Sequence, residues 1–302
     1  MRRARRLRAA LAGLLAAGAL LGPLAGCSEP AAPVAPFRRL GHRAAQHTVP
    51  RAGSDARMAA ARRWGLAAPL PPAPRPPARR AGAHMPFVVD RVAVRAKVVF
   101  LTFDDGPGDD PAFPRMVRDL HLPLALFLTG DGDGDGSGGG SGGGGGSGTG
   151  TGAGAGAAVA SARARVDELR ALGAGVHNHT LSHPDLRTLD YARQRAEICG
   201  QQDRLAARFA SRPRLFRPPY GAYDAGTLRA ARECGVRAVV LARVTMTADG
   251  PRYARGARSL RPGDIVRVRL PDPGASATRL TARLLEHIRA RGFTVGRIED
   301  YL

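Results

Sequence analysis

The chain has 302 residues, room for one large domain or two small ones, and a formal net charge of +21. The basic excess is uneven: residues 27–97 carry thirteen bases against three acids, whereas residues 98–302 carry 28 against 22. The charge lies mainly ahead of the region that carries the chemistry and, with the export signal described next, excludes nucleic acid as an expected partner.

Residues 2–8 form a positively charged start, and an apolar stretch with small residues at its end runs on to Gly26. Residues 1–26 therefore read as a secretory signal. Leu24-Ala25-Gly26-Cys27 closes it and resembles a bacterial lipoprotein box. Cys27 is then the expected lipidation site, and the protein a cell-membrane lipoprotein facing the extracytoplasmic side. A plain signal peptide with an incidental Cys and an uncleaved membrane anchor are the alternatives. Residues 27–86 are rich in Pro, Ala and Arg and read as a basic, mostly disordered stalk, with one short helix over Ser54–Trp64. Such a stalk suits anionic lipid head groups or anionic wall polymers. Cys199 and Cys234 remain; in an oxidising compartment they can pair, or stay as two buried thiols.

After a possible strand over Phe87–Val94, Val98–Phe103 reads as a buried strand that stops at two adjacent carboxylates, Asp104 and Asp105, before a Gly106-Pro107 turn. Pro111–Leu120 reads as a helix and Leu124–Leu128 as a second buried strand. Residues 130–156 are almost all Gly, Ser, Asp and Thr, which predicts a disordered insert. Asp131, Asp133 and Asp135 mimic the start of a calcium loop, but Gly142 stands where the loop needs a Glu. A helix over Ser161–Leu172 and a short strand over Val176–His179 lead into His179-Thr-Leu-Ser-His183-Pro184. Pro184 disfavours helix at His183, so the two imidazoles sit on a strand-to-loop corner and are candidate metal ligands. His177 lies two residues earlier on the same strand face. Next come a helix over Leu189–Phe209 and a strand from Leu215 into Arg217-Pro218-Pro219-Tyr220-Gly221. Helix Asp224–Cys234, strands Val236–Ala242 and Ile265–Leu270, helix Ala277–Arg291 and strand Phe293–Ile298 complete the chain. Repeated β then α predicts an α/β fold, a parallel sheet closed as a barrel of fewer than eight units.

Thr102–Pro107 (TFDDGP), His179–His183 (HTLSH) and Arg217–Gly221 (RPPYG), in that order on successive strand ends, resemble the motifs of polysaccharide deacetylases, the NodB-homology domain of carbohydrate esterase family 4. The resemblance covers roughly residues 90–302, within a domain expected over residues 87–302. It implies a distorted, incomplete (β/α) barrel of the glycoside hydrolase/deacetylase type. It implies that Asp105, His179 and His183 bind a divalent metal, with Zn2+ expected, and that Asp104 is the general base, held by Arg217. Pro219 and Tyr220 would contact substrate, the Tyr220 N–H helping to stabilise the oxyanion. The implied reaction is hydrolysis of an N-acetyl or O-acetyl group on a peptidoglycan- or chitin-like polysaccharide.

One part of the pattern departs. Where the family carries a general-acid His, this chain has Arg269, and no His occurs between 184 and 286. A guanidinium stays protonated and cannot donate a proton to a leaving amine. Three readings follow. Arg269 stabilises charge while water or Asp104 supplies the proton; or His177 substitutes as the acid; or the domain is a metal-bearing glycan-binding module of weak or no activity.

Overall fold

The computed structural model describes residues 51–76, 87–108, 110–130, 152–254, 258–270 and 276–302. The expected signal sequence and Cys27 lie outside the described residues, as does most of the glycine-rich insert.

Ten strands form one sheet. β1 (Val88–Val89) and β2 (Val98–Asp104) are followed by β3 (Ala125–Leu128), β4 (Gly175–Asn178), β5 (Leu215–Phe216) and β6 (Ala238–Val240). β7 (Val244–Thr247), β8 (Gly250–Tyr253), β9 (Ile265–Val268) and β10 (Thr294–Gly296) complete it. The order is β1-β6-β5-β4-β3-β2-β9-β7-β8, with β10 added beside β2. Every pairing is parallel except the β7–β8 hairpin. The sheet curls but stays open between β1 and β8: it is the incomplete barrel that the resemblance implies, and not the closed barrel expected from the alternation of strand and helix.

Alternation along each strand sorts the side chains. Val98, Phe100, Phe127, Leu215, Val240 and Ile265 share a cluster with Ile298, Tyr301 and Leu302 of the C-terminal α7 (Ile298–Tyr301) and its end. This is the barrel interior, closed at the N-terminal end of its strands by α7. Val99, Leu101, Phe103, Leu126 and Val266 face the other way. They pack against α2 (Phe113–Leu120), α3 (Gly152–Ala171) and α6 (Ala277–Ala290). α4 (Tyr191–Phe209) and α5 (Ala225–Glu233) cover β5 and β6 and are joined by a Cys199–Cys234 disulfide.

Four further sequence expectations need correction. Part of the stalk is folded: α1 (Arg51–Arg63) and the chain after it dock on the domain, with Ala61 and Leu66 in the outer core. The Trp64 indole N–H donates to Asp119 at 3.0 Å, and Thr294 and Tyr301 donate to the carbonyls of Pro71 and Pro74. Proline-rich composition reads as extended, which this segment is, but its free carbonyls find donors on the barrel. The insert is shorter at its end than expected, because α3 begins at Gly152. Gly130, at its other edge, is buried and donates to the carbonyls of Thr180 and Leu181. Ile298 belongs to α7 and not to a strand, and the β7–β8 hairpin was not foreseen.

Candidate active site

The interior-facing residues change from apolar to charged at the C-terminal ends of the strands, where α/β folds place their chemistry. Asp104 is the last residue of β2 and continues the inward series Val98, Phe100, Thr102. His179 follows β4, Arg217 follows β5, and Arg267 lies on β9 beside Thr102.

Asp105 turns out of the strand with φ +54°, its N–H bonded to the Phe127 carbonyl at 2.8 Å. Gly106 takes φ +81°, a left-handed geometry that glycine adopts freely. Thr129 fixes the Asp105 carboxylate: its N–H and hydroxyl donate to Oδ1 at 3.0 and 2.8 Å. The histidine corner is held by a buried polar scaffold. Asn178 accepts from the Thr180 N–H at 2.8 Å and donates to the Ile198 carbonyl at 2.8 Å and to Gln202 at 3.1 Å. Gln201 donates to the Leu128 carbonyl. His183, with φ +56°, packs edge-on against both His179 and Tyr220, ring centroids 4.9 and 4.8 Å away.

One ligand atom each from Asp105, His179 and His183 lie within 4.8 Å of one another. The bonding around them fits a metal. His179 Nδ1 is 2.7 Å from the Arg217 carbonyl, which can only accept, so Nδ1 carries the proton and Nε2 keeps its lone pair for a cation. Burial and the neighbouring His179 lower the pKa of His183, against the pull of Asp105 and Asp104, and favour the neutral imidazole a metal needs. Two imidazoles and a carboxylate are a donor set suited to zinc, with positions left for water and substrate.

Asp104 stands beside this cluster and is held by different partners. Arg217 Nη1 donates to Oδ1 at 2.6 Å, and Arg267 Nη1 lies 3.6 Å from Oδ2. Burial alone would raise the Asp104 pKa; Arg217, His179 and Arg267 outweigh it and hold the carboxyl below its ordinary range. Arg217 is itself buried, with Nε donating to the Val240 carbonyl at 3.2 Å and its plane over the Phe127 ring at 4.1 Å.

Asp104, Asp105, His179 and His183 line a cavity of about 620 Å³ that also takes in Tyr220, Arg267, Arg269 and Leu270, with Arg217 buried behind Asp104. The expected site residues Asp104, Asp105, His179, His183, Arg217 and Tyr220 are thus brought together, and Arg269 stands on the rim. Pro219, which carries no N–H, is buried in a short 3₁₀ turn over Pro219–Gly221, where the Gly221 and Ala222 N–H groups donate to the Pro218 and Pro219 carbonyls at 3.1 and 3.0 Å.

His177 is not part of the cavity. It faces inward one layer below His179, its Nε2 2.8 Å from Glu299 of α7 and its ring against Phe127. A strand spaces alternate residues almost 7 Å apart along its axis, so an inward His two positions earlier points into the floor. Gly175 permits this pairing: a Cβ there would sit 1.5 Å from Glu299 Oε1. From the barrel floor His177 does not reach the cavity, so it does not serve as the substitute acid expected from the sequence. Asp249 pairs with Arg252 at 3.0 Å across an exposed hairpin turn, away from the cavity. Arg267 was missed by sequence reasoning; its alternation with Arg269 along one strand was the available signal.

A profile of the polysaccharide deacetylase family matches residues 91–239. An uncharacterized protein of Streptomyces coelicolor is 44% identical over 223 residues, spanning 73% of this chain and 79% of the relative. The chain belongs to the polysaccharide deacetylase family. Solved structures agree in fold. A family 4 carbohydrate esterase pseudoenzyme from Bacillus anthracis is 17% identical with a TM-score of 0.52, covering 72% of this chain and 69% of that one. A peptidoglycan N-acetylglucosamine deacetylase, also 17% identical, has a TM-score of 0.51 and covers 70% and 91%. An active member and a pseudoenzyme thus share one scaffold with this polysaccharide deacetylase domain, so the scaffold alone does not decide turnover.

Proposed function

We propose that the protein hydrolyses the N-acetyl, or less often O-acetyl, group of a cell-wall or extracellular polysaccharide and releases acetate. The observation that carries this reading is the division of labour between adjacent carboxylates: Asp105 grouped with two imidazoles, Asp104 bound to a buried Arg217. Asp105, His179 and His183 would hold a divalent ion, with zinc proposed. When bound it would supply Lewis acidity for the acetyl carbonyl and lower the pKa of water.

The chain's own residues do the rest. Arg217 keeps Asp104 ionised and fixes Oδ1, leaving Oδ2 to take a proton from the attacking water. The water oxygen bonds to the acetyl carbon, and the Tyr220 N–H would donate to the oxyanion. The C–N bond then breaks, acetate leaves, and the amine takes a proton. Among the described residues lining the cavity, Asp104 and Asp105 are the only carboxylates, and its two imidazoles are the proposed metal ligands. Asp104 is therefore proposed to return the proton it took, with Arg267 and Arg269 stabilising charge.

A second reading is favoured by the same observation. Two guanidiniums on Asp104 lower its basicity, and among the described residues no separate acid stands opposite, which suits a glycan-binding module of weak turnover. Peptidoglycan is the proposed polymer, supported by the substrate of the structural relative above and by the export signal read from residues 1–26. The Cys199–Cys234 disulfide supports an extracytoplasmic address. Lipid attachment at Cys27 and contact of the basic stalk with anionic wall polymers are proposed on the sequence alone.

The full chain, loaded with zinc, is incubated with peptidoglycan fragments and chitin oligomers. Acetate release that a chelator stops and zinc restores is the expected result. Saturable binding without acetate above background would overturn it in favour of the second reading.

A further inference from the structure

The cavity holds more cationic groups than its own carboxylates use. Arg217 is committed to Asp104 Oδ1 at 2.6 Å. Arg267 approaches Oδ2 only to 3.6 Å, outside hydrogen-bonding distance, and its buried Nε has no acceptor among the described residues. A buried guanidinium N–H without a partner is costly, and native structures seldom leave one so. Arg269 stands two residues further along the same strand, on the same face, exposed at the cavity rim, with no ion pair among the described residues. Across the cavity Tyr220 is 69% exposed and offers an aromatic face. Two guanidiniums on one strand thus stand in the cavity beside Asp104.

We propose that Arg267 and Arg269 form a carboxylate subsite, so that the preferred substrate is an acidic acetylated glycan. Its carboxylate, as a lactyl ether or a uronic acid, sits on the acetylated sugar or its immediate neighbour. The planar fork of a guanidinium matches a carboxylate with two parallel hydrogen bonds, which an ammonium or imidazole does not. Tyr220 packs on the sugar face while the two arginines read the acid. The inference rests on the deacetylase reading for the acetyl group, but the subsite is tested by binding.

The test uses the full chain and two oligosaccharides that differ in one group: an acetylated oligomer bearing the carboxylate, and the same oligomer with that carboxyl reduced to a primary alcohol. Calorimetry gives both dissociation constants, and acetate release is measured in parallel. The acidic oligomer is expected to bind about tenfold more tightly at low salt, the advantage shrinking as salt rises. Arg267→Gln and Arg269→Gln each reduce that ratio towards one. If Arg267 served only to steady Asp104, its loss would change both oligomers alike and leave the ratio unchanged. A ratio near one in the wild type, a ratio that survives both substitutions, or no binding of either oligomer overturns the proposal. Tighter binding of the acid with no acetate from either oligomer supports the subsite and refutes the deacetylase reading instead.

Discussion

The Asp104–Arg217 pair makes a quantitative prediction. The Arg217 side chain is 3% exposed and that of Asp104 19%, so each is the other's main compensation for lost solvation. Breaking such a pair from one side leaves a buried charge uncompensated and costs about 3–5 kcal/mol, more than the pair is worth when both partners go. Arg217→Met should therefore lower unfolding stability by about 3–5 kcal/mol, and Asp104→Asn by somewhat less, because the amide oxygen still accepts from Nη1. The double variant Asp104→Asn, Arg217→Met should recover part of the loss, giving a coupling energy of about 2–3 kcal/mol. Urea unfolding of the four proteins, followed by far-ultraviolet circular dichroism, measures the cycle. Additive losses, or an Arg217→Met loss under about 1 kcal/mol, would refute the claim that this salt bridge holds the base.

Two further outcomes follow from the fold. Leu66 is 3% exposed in the outer core, so Leu66→Ala should cost about 2–5 kcal/mol in denaturant unfolding, whereas a loose stalk would lose nothing measurable. Asp110 accepts from Ala112, Ser276 and Thr278, tying the loop after the carboxylate pair to the start of α6. Burial raises its pKa, but those hydrogen bonds outweigh it and hold the folded-state value below the ordinary range. Its contribution is therefore complete above the unfolded-state pKa and is lost as pH falls through the folded-state value. The stability gap between wild type and Asp110→Asn should be constant near neutrality and close in acid; a gap unchanged down to about pH 2 would contradict the assignment.

The strands and the site were legible where local pattern and chemistry coincide. Val98–Phe103 is apolar apart from Thr102 and runs into two carboxylates, and parity along it already aims Asp104 inward. The docking of residues 51–76 was not legible, because what fixes Pro71 and Pro74 are donors more than 200 residues away. His177 misled for a related reason. Strand parity places it on the catalytic face, but only Glu299, reached through the C-terminal helix, shows that it belongs to the barrel floor. The buried glutamines of α4 were equally silent, since nothing in an amphipathic helix tells which polar residue caps a strand end. Arg267 shows its role only when β9 is laid beside β2.

The adjacent carboxylates are proposed to do separate work, Asp105 with the metal and Asp104 with the proton. The most direct measurement pairs metal content with acetate release in zinc-loaded wild type, Asp104→Asn and Asp105→Asn. Asp104→Asn should keep about one zinc per chain and lose roughly 10²–10⁴-fold in kcat. Asp105→Asn should lose zinc and activity together. An Asp104→Asn variant that turns over at the wild-type rate, or that loses its zinc, would contradict the account.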